Sequence, residues 1–190
     1  RHGMFSQRWI DLCRRHGLEV EVIEAPWGEA APIAAIEAAL GADAAHRIRA
    51  VLVTHNETAT GVRSDVAGVR GALGRAGHPA LLMVDGVSSI AAMPFEMDGW
   101  GVDVAVTGSQ KGFMLPPGLA ILAFGPRALA ATQAAGLSRA YFDLREMLGA
   151  TAGGGYPYTP PVGLIAGLGA AVARLEAEGM ASVFARHRRL

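Results

Sequence analysis

Four short apolar runs most narrowly constrain what this chain can fold into. Ala50 to Val53, Leu81 to Val84, Val102 to Val106 and Leu119 to Phe124 are almost wholly apolar rather than alternating, and the stretches between them carry helical periodicity. A strand that is apolar on both faces needs cover on both faces. Such strands alternating with helices imply an α/β fold, a mostly parallel sheet with helices on both faces, wound by right-handed crossovers. The 190 residues are 51% hydrophobic, enough to bury one sizeable core.

Around these runs the pattern predicts a helix over Ser6 to His16, N-capped by Ser6 and stopped by Gly17, then a half-exposed strand over Leu18 to Ile23, where apolar residues alternate with Glu. Further helices are expected at Ile33 to Leu40, from Ser64 and Asp65 to near Gly77, from Pro126 to about Ala135, at Tyr141 to Leu148 and over the long apolar stretch Val162 to Glu178. Thr151 to Pro161, rich in Gly, Pro and Tyr, reads as a loop. The tail beyond residue 136 is expected to pack against another subunit or a further domain. The chain opens with Arg1 rather than Met, which suggests a piece of a longer polypeptide, incomplete at both ends.

Charge and cysteine counts exclude several function classes. With 17 basic and 17 acidic residues the formal net charge is zero, so no field draws in a nucleic-acid backbone or an anionic bilayer. The uncharged stretch Pro160 to Ala173 falls short of the ~18 residues a membrane crossing needs. The single cysteine, Cys13, rules out an internal disulfide framework and fits a reducing compartment, which points to a cytoplasmic address. No Cys/His cluster with metal-ligand spacing occurs, so no metal site is expected.

In an open parallel sheet, ligands bind outside the C-terminal ends of the strands, where loops and helix N-termini converge. Three of the predicted strands end in polar residues: at Thr54 to Thr58, at Asp85 and at Ser109 to Lys111. Lys111 is the only lysine among the 17 basic residues. Only a primary amine forms an imine with an aldehyde, and a desolvated lysine does so at neutral pH. A carboxylate such as Asp85 on a neighbouring strand tip can hold the ring nitrogen of pyridoxal phosphate protonated, which turns that ring into an electron sink. The pair therefore points to a pyridoxal phosphate enzyme. Taken singly, Lys111 is equally a solvated loop charge and Asp85 a turn former. His55 reads as a packed or hydrogen-bonded loop histidine rather than a metal ligand, and Glu57 as solvated. Gly167-Leu-Gly169 lacks a dinucleotide fingerprint's third glycine, and Gly108 to Lys111 is no phosphate-binding P-loop.

The strings Thr-His-Asn-Glu-Thr-Ala-Thr-Gly-Val (54 to 62), Leu-Met-Val-Asp-Gly-Val-Ser-Ser (82 to 89) and Gly-Ser-Gln-Lys-Gly-Phe-Met-Leu-Pro-Pro-Gly (108 to 118) resemble the class V aminotransferases of fold type I, most of all those acting on serine or alanine with glyoxylate. The resemblance implies that Lys111 binds the cofactor aldehyde and Asp85 pairs with the pyridinium nitrogen. It implies that Phe5 stacks on one face of the ring and Val87 presses on the other, that Thr58 reaches the polar edge, and that Gln110 reaches the phosphate. Tyr156 and Thr159 match the pair that reaches the phosphate of the neighbouring subunit, which makes the expected assembly a homodimer with shared active sites. Residues 1–160 would then be the cofactor-binding core of the large domain, and 161–190 a long helix leading towards a small C-terminal domain. A phosphate cup before Arg1 and a carboxylate-clamping arginine after Leu190 belong to the same pattern. The implied reaction is ping-pong transfer of an amino group from L-serine or L-alanine to glyoxylate. Aspartate- or ureidoglycine-glyoxylate aminotransferases, a desulfurase-like lyase and an inactive structural fragment are the alternatives.

Overall fold

The computed structural model describes all of residues 1–190. In chain order the elements begin with helices α1 (Met4–Arg15) and α2 (Ile33–Ala42), strand β1 (Ala50–Thr54), and the two-residue strands β2 (Asn56–Glu57) and β3 (Val62–Arg63). Helix α3 (Val66–Arg75), β4 (Leu81–Asp85), β5 (Val104–Gly108) and β6 (Ala120–Phe124) complete the sheet region. Helices α4 (Pro126–Thr132), α5 (Leu144–Ala152), α6 (Val162–Glu178) and α7 (Met180–Arg189) follow.

The main sheet has the order β1-β4-β5-β6, with β2 and β3 forming a separate hairpin. Strands β1, β4 and β5 are parallel, in register at Thr54, Asp85 and Val106. Val53, Leu82, Val84 and Ala105 lie on one face and pack with Ile36 and Leu40 of α2 and with Val66, Val69 and Leu73 of α3. Each fully buried Leu or Val here contributes roughly 1.5–3 kcal/mol of transfer free energy. Asp65 caps α3 by accepting the Gly68 N–H at 2.9 Å. Asp103 interrupts an apolar run because it is used at the opposite end of the sheet, accepting the Leu82 N–H at 2.8 Å and pairing with Arg127 at 3.2 Å. On the other sheet face Leu52 and Leu122 stay exposed.

Four local departures from the sequence reading have physical causes. Leu18 to Ile23 forms no strand: it bonds to no sheet edge, and with β1 it lines a cavity of about 850 Å³, so its alternation finds no ladder partner. Strand β6 runs antiparallel to β5 because the 109–119 connection holds no crossover helix. Helix α1 begins earlier than expected, with Gly3 at the cap and Ser6 one turn in, where its hydroxyl accepts the N–H groups of His2 and Gly3 at 3.0 Å. Helix α5 starts at the Asp143 cap, which accepts the Arg145 N–H at 2.9 Å, rather than at Tyr141. No helix is long and apolar enough to cross a membrane.

Candidate active site

Adjacent parallel strands deliver their C-terminal ends to one edge of the sheet, so β4 and β5 bring Asp85 and the Lys111 loop out on the same side. Asp85 is 7% exposed, and its Oδ1 accepts the Val87 N–H at 2.9 Å. Burial pushes its pKa above the ordinary carboxylate range, and the negative charge of Glu57 adds to the effect. A carboxylate of this kind gains from a cationic partner that restores its ionised form.

The turn that follows Asp85, residues 86–91, is where the pieces meet. Thr58 Oγ1 hydrogen-bonds Ser88 Oγ. His55, at the tip of β1, donates its N–H to the Asp85 carbonyl at 2.9 Å, and its Nδ1 lies 2.9 Å from Ser89 Oγ. The His55 ring packs against Phe95 and Trp100, and burial holds its pKa down at about 4, so it is neutral across the physiological range. It is the packed, hydrogen-bonded histidine expected. From the other side Gly112 lies against the backbone of Ile90 and Ala91, which fixes Lys111 beside this turn.

Ser109 shapes the loop that carries Lys111. It is fully buried; its hydroxyl donates to the Pro116 carbonyl at 2.7 Å and accepts the Leu119 N–H at 3.2 Å. Its backbone N–H donates to Leu119 and its carbonyl accepts from Leu115. Every polar group of Ser109 thus serves to close the loop, and no sequence signal beyond its position before Lys111 marks it. Lys111 itself stands exposed at the tip, so the desolvation expected from the sequence is not supplied by its neighbours in this chain. Gln110, also exposed, folds its amide oxygen back towards Gly108, to 2.9 Å from where a β-carbon would be.

Phe5 and Val87 are both half-buried. Val87 sits in the turn itself, and the Arg8 guanidinium lies 5.4 Å from the centre of the Phe5 ring. Phe5 reaches the site through Glu57, and here the sequence reading is corrected. Glu57 is 0% exposed rather than solvated, and accepts the N–H groups of Phe5, Ser6 and Ala59 and the Ser6 hydroxyl. Burial alone would raise its pKa, but the N–H groups of Ser6, Phe5 and Ala59 hold it below the ordinary value. The usable signal was negative: α1 opens on a glycine, which offers no capping side chain, so its first N–H groups need an acceptor from elsewhere.

Tyr156 and Thr159 are not brought to this edge. They are exposed on the loop before α6, around a cavity of about 680 Å³ shared with Tyr141 and Tyr158, whose rings stack at 4.2 Å. Cys13 lines the cavity beside β1, away from the Lys111 loop. The edge therefore gathers a primary amine, a buried carboxylate, the Thr58 hydroxyl and the apolar side chain of Val87, with the backbone of Phe5 tied in through Glu57. That set can bind an aromatic aldehyde bearing a basic ring nitrogen.

The family model described as "Aminotransferase class-V" matches residues 2–190. The chain is 63% identical over its full length to an L-aspartate–glyoxylate aminotransferase of Paracoccus denitrificans, and 51% identical over its full length to a serine–glyoxylate aminotransferase of Hyphomicrobium methylovorum. It spans 48% and 47% of those proteins, about half the length of each. A crystal structure of an alanine–glyoxylate aminotransferase from Nostoc sp. superposes on the whole chain with a TM-score of 0.89 at 32% identity, and the chain covers 50% of it. A match that runs from His2 to the last residue, and so takes in the strands and loops that meet at the turn after Asp85, makes this chain a member of the class V aminotransferase family.

Proposed function

We propose that the protein to which this chain belongs is a pyridoxal phosphate-dependent aminotransferase that uses glyoxylate as amino acceptor. The three relatives described above are all named for glyoxylate, while the donors in their names differ: aspartate, serine and alanine. L-serine or L-alanine, the donors favoured by the sequence motifs, stand beside L-aspartate, the donor in the name of the 63% identical relative.

The observation that carries the reading is the meeting of the Asp85 turn and the Lys111 loop at the Ile90–Gly112 contact, on one edge of the sheet. Bound pyridoxal phosphate supplies an electron sink that makes the proton on the amino-acid α-carbon labile. The Lys111 amine would hold the cofactor through its aldehyde and, as a free base, would take that proton at Nζ and return it. The Asp85 carboxylate would keep the ring nitrogen protonated. Phe5 and Val87 would confine the two faces of the ring, Thr58 would bond its polar edge, and Gln110 would take the phosphate. Tyr156 and Thr159, exposed on their own loop, suit the phosphate of a second copy in a homodimer. On the same reading, residues 1–160 are the cofactor-binding core and 161–190 the helical segment that leads out of it.

Incubating the whole protein with pyridoxal phosphate, reducing with borohydride and mapping peptides by mass tests this directly. Label on Lys111 that disappears in Lys111→Ala, together with conversion of glyoxylate to glycine by at least one of the three donors, is the expected result. Label elsewhere, or glycine formation that survives Lys111→Ala, overturns it.

A further inference from the structure

A buried glutamate holds the first turn of α1 against the site. Gly3 offers no side chain to cap this helix, and a β-carbon on Gly3 would stand 2.3 Å from Glu57 Cγ, so the glycine makes room for the glutamate. The Glu57 carboxylate takes the capping role from a distance of 52 residues, receiving the Phe5 N–H at 3.1–3.2 Å and the Ser6 N–H at 3.0 Å. Both of its oxygens are committed: Oε1 accepts from Phe5 and Ala59, and Oε2 from Phe5 and Ser6. No orientation of an amide satisfies these donors, because one of its ends is itself a donor. The positive end of a helix dipole meeting a fully buried anion adds a charge term that a neutral side chain lacks. The next residue is Thr58, whose hydroxyl reaches Ser88 in the turn after Asp85. One carboxylate thus ties the backbone of Phe5 to the loop that faces Asp85.

We infer that Glu57 is a positioning residue for the cofactor, acting through Phe5: its carboxylate sets where the Phe5 ring stands relative to the Asp85 turn. The inference rests on the reading of this edge as a pyridoxal phosphate site. It makes the ring-stacking contact depend on an ionised carboxylate that itself touches neither cofactor nor substrate.

The test is a double-mutant cycle in the whole protein, read as the dissociation constant of pyridoxal phosphate. Glu57→Gln should weaken binding about tenfold or more, and Phe5→Leu should weaken it as well. Because Glu57 acts through Phe5, adding Glu57→Gln to Phe5→Leu should cost less than a further twofold, whereas adding it to Val87→Ala should cost its full factor. A purely structural role would make the two combinations alike. If Glu57→Gln does not accumulate as folded protein, Glu57→Asp, which keeps the charge on a shorter arm, carries the same cycle. Binding within twofold of wild type in the single variant, or equal additivity with Phe5→Leu and Val87→Ala, overturns the inference while borohydride labelling of Lys111 leaves the cofactor reading standing. A wild-type protein that takes up no pyridoxal phosphate overturns both.

Discussion

Gly112 and Ile90 touch through their backbones: a β-carbon on Gly112 would lie 2.3 Å from the Ile90 carbonyl oxygen and 2.9 Å from the Ala91 carbonyl carbon. No rotamer relieves a clash with main chain. Gly112→Ala is therefore expected to push the Lys111 loop off the Asp85 turn, at a stability cost of about 1–3 kcal/mol. Thermal denaturation of the whole protein, with and without pyridoxal phosphate, checks this. The variant should melt lower and gain less from the cofactor than wild type does.

Ser109 closes the loop from inside. Ser109→Ala leaves the Pro116 carbonyl and the Leu119 N–H without the hydroxyl they share, an expected loss of about 1–3 kcal/mol. Limited proteolysis should show new cleavage between Gln110 and Leu119. A protease pattern unchanged from wild type would mean that the remaining backbone bonds suffice to hold the loop.

The burial of Asp85 sets stability against the role proposed for it. Its folded pKa is raised, so between the ordinary carboxylate value and that raised value the folded state binds the extra proton, and folding is favoured as pH falls through this window. At neutral pH the buried charge is a penalty. Asp85→Asn removes the penalty and with it the anion for a pyridinium. The cofactor-free variant should melt at the wild-type temperature or above, while its affinity for pyridoxal phosphate and its transamination rate fall at least tenfold. Calorimetry and a cofactor titration read the two effects separately.

His55 predicts an acid limb. Its folded pKa lies at about 4 against 6.5 for the free side chain, so its contribution is complete above pH 6.5 and is lost as pH falls towards 4. Urea denaturation of wild type and His55→Gln at pH 7, 5.5 and 4.5 isolates this contribution. The variant should be less stable than wild type at pH 7, because its side chain fits the niche between Phe95 and Trp100 less well, and the difference should narrow as the pH drops. A constant gap would remove His55 from the titration.

The elements legible in the sequence were those made by local rules. Strands β1 and β4 and helix α6 follow from unbroken apolar runs and helical periodicity, and Lys111 and Asp85 stand out because residue type and strand-end position are both one-dimensional facts. Glu57 was misread for the same reason: a glutamate after a strand is usually solvated, and only the approach of α1 supplies the N–H groups that pay for its burial. The segment Leu18 to Ile23 has the alternation of a strand, but alternation does not create the neighbouring edge that a ladder needs.

Residue type and short-range period were enough for the class of fold, the motif order, and the amine and carboxylate proposed to carry the chemistry. Tertiary structure alone decided that the Asp85 turn, the Lys111 loop and the start of α1 share one edge. Those contacts join residues up to 52 positions apart, and hydrogen-bond geometry and steric exclusion act on distances in space that no local pattern encodes.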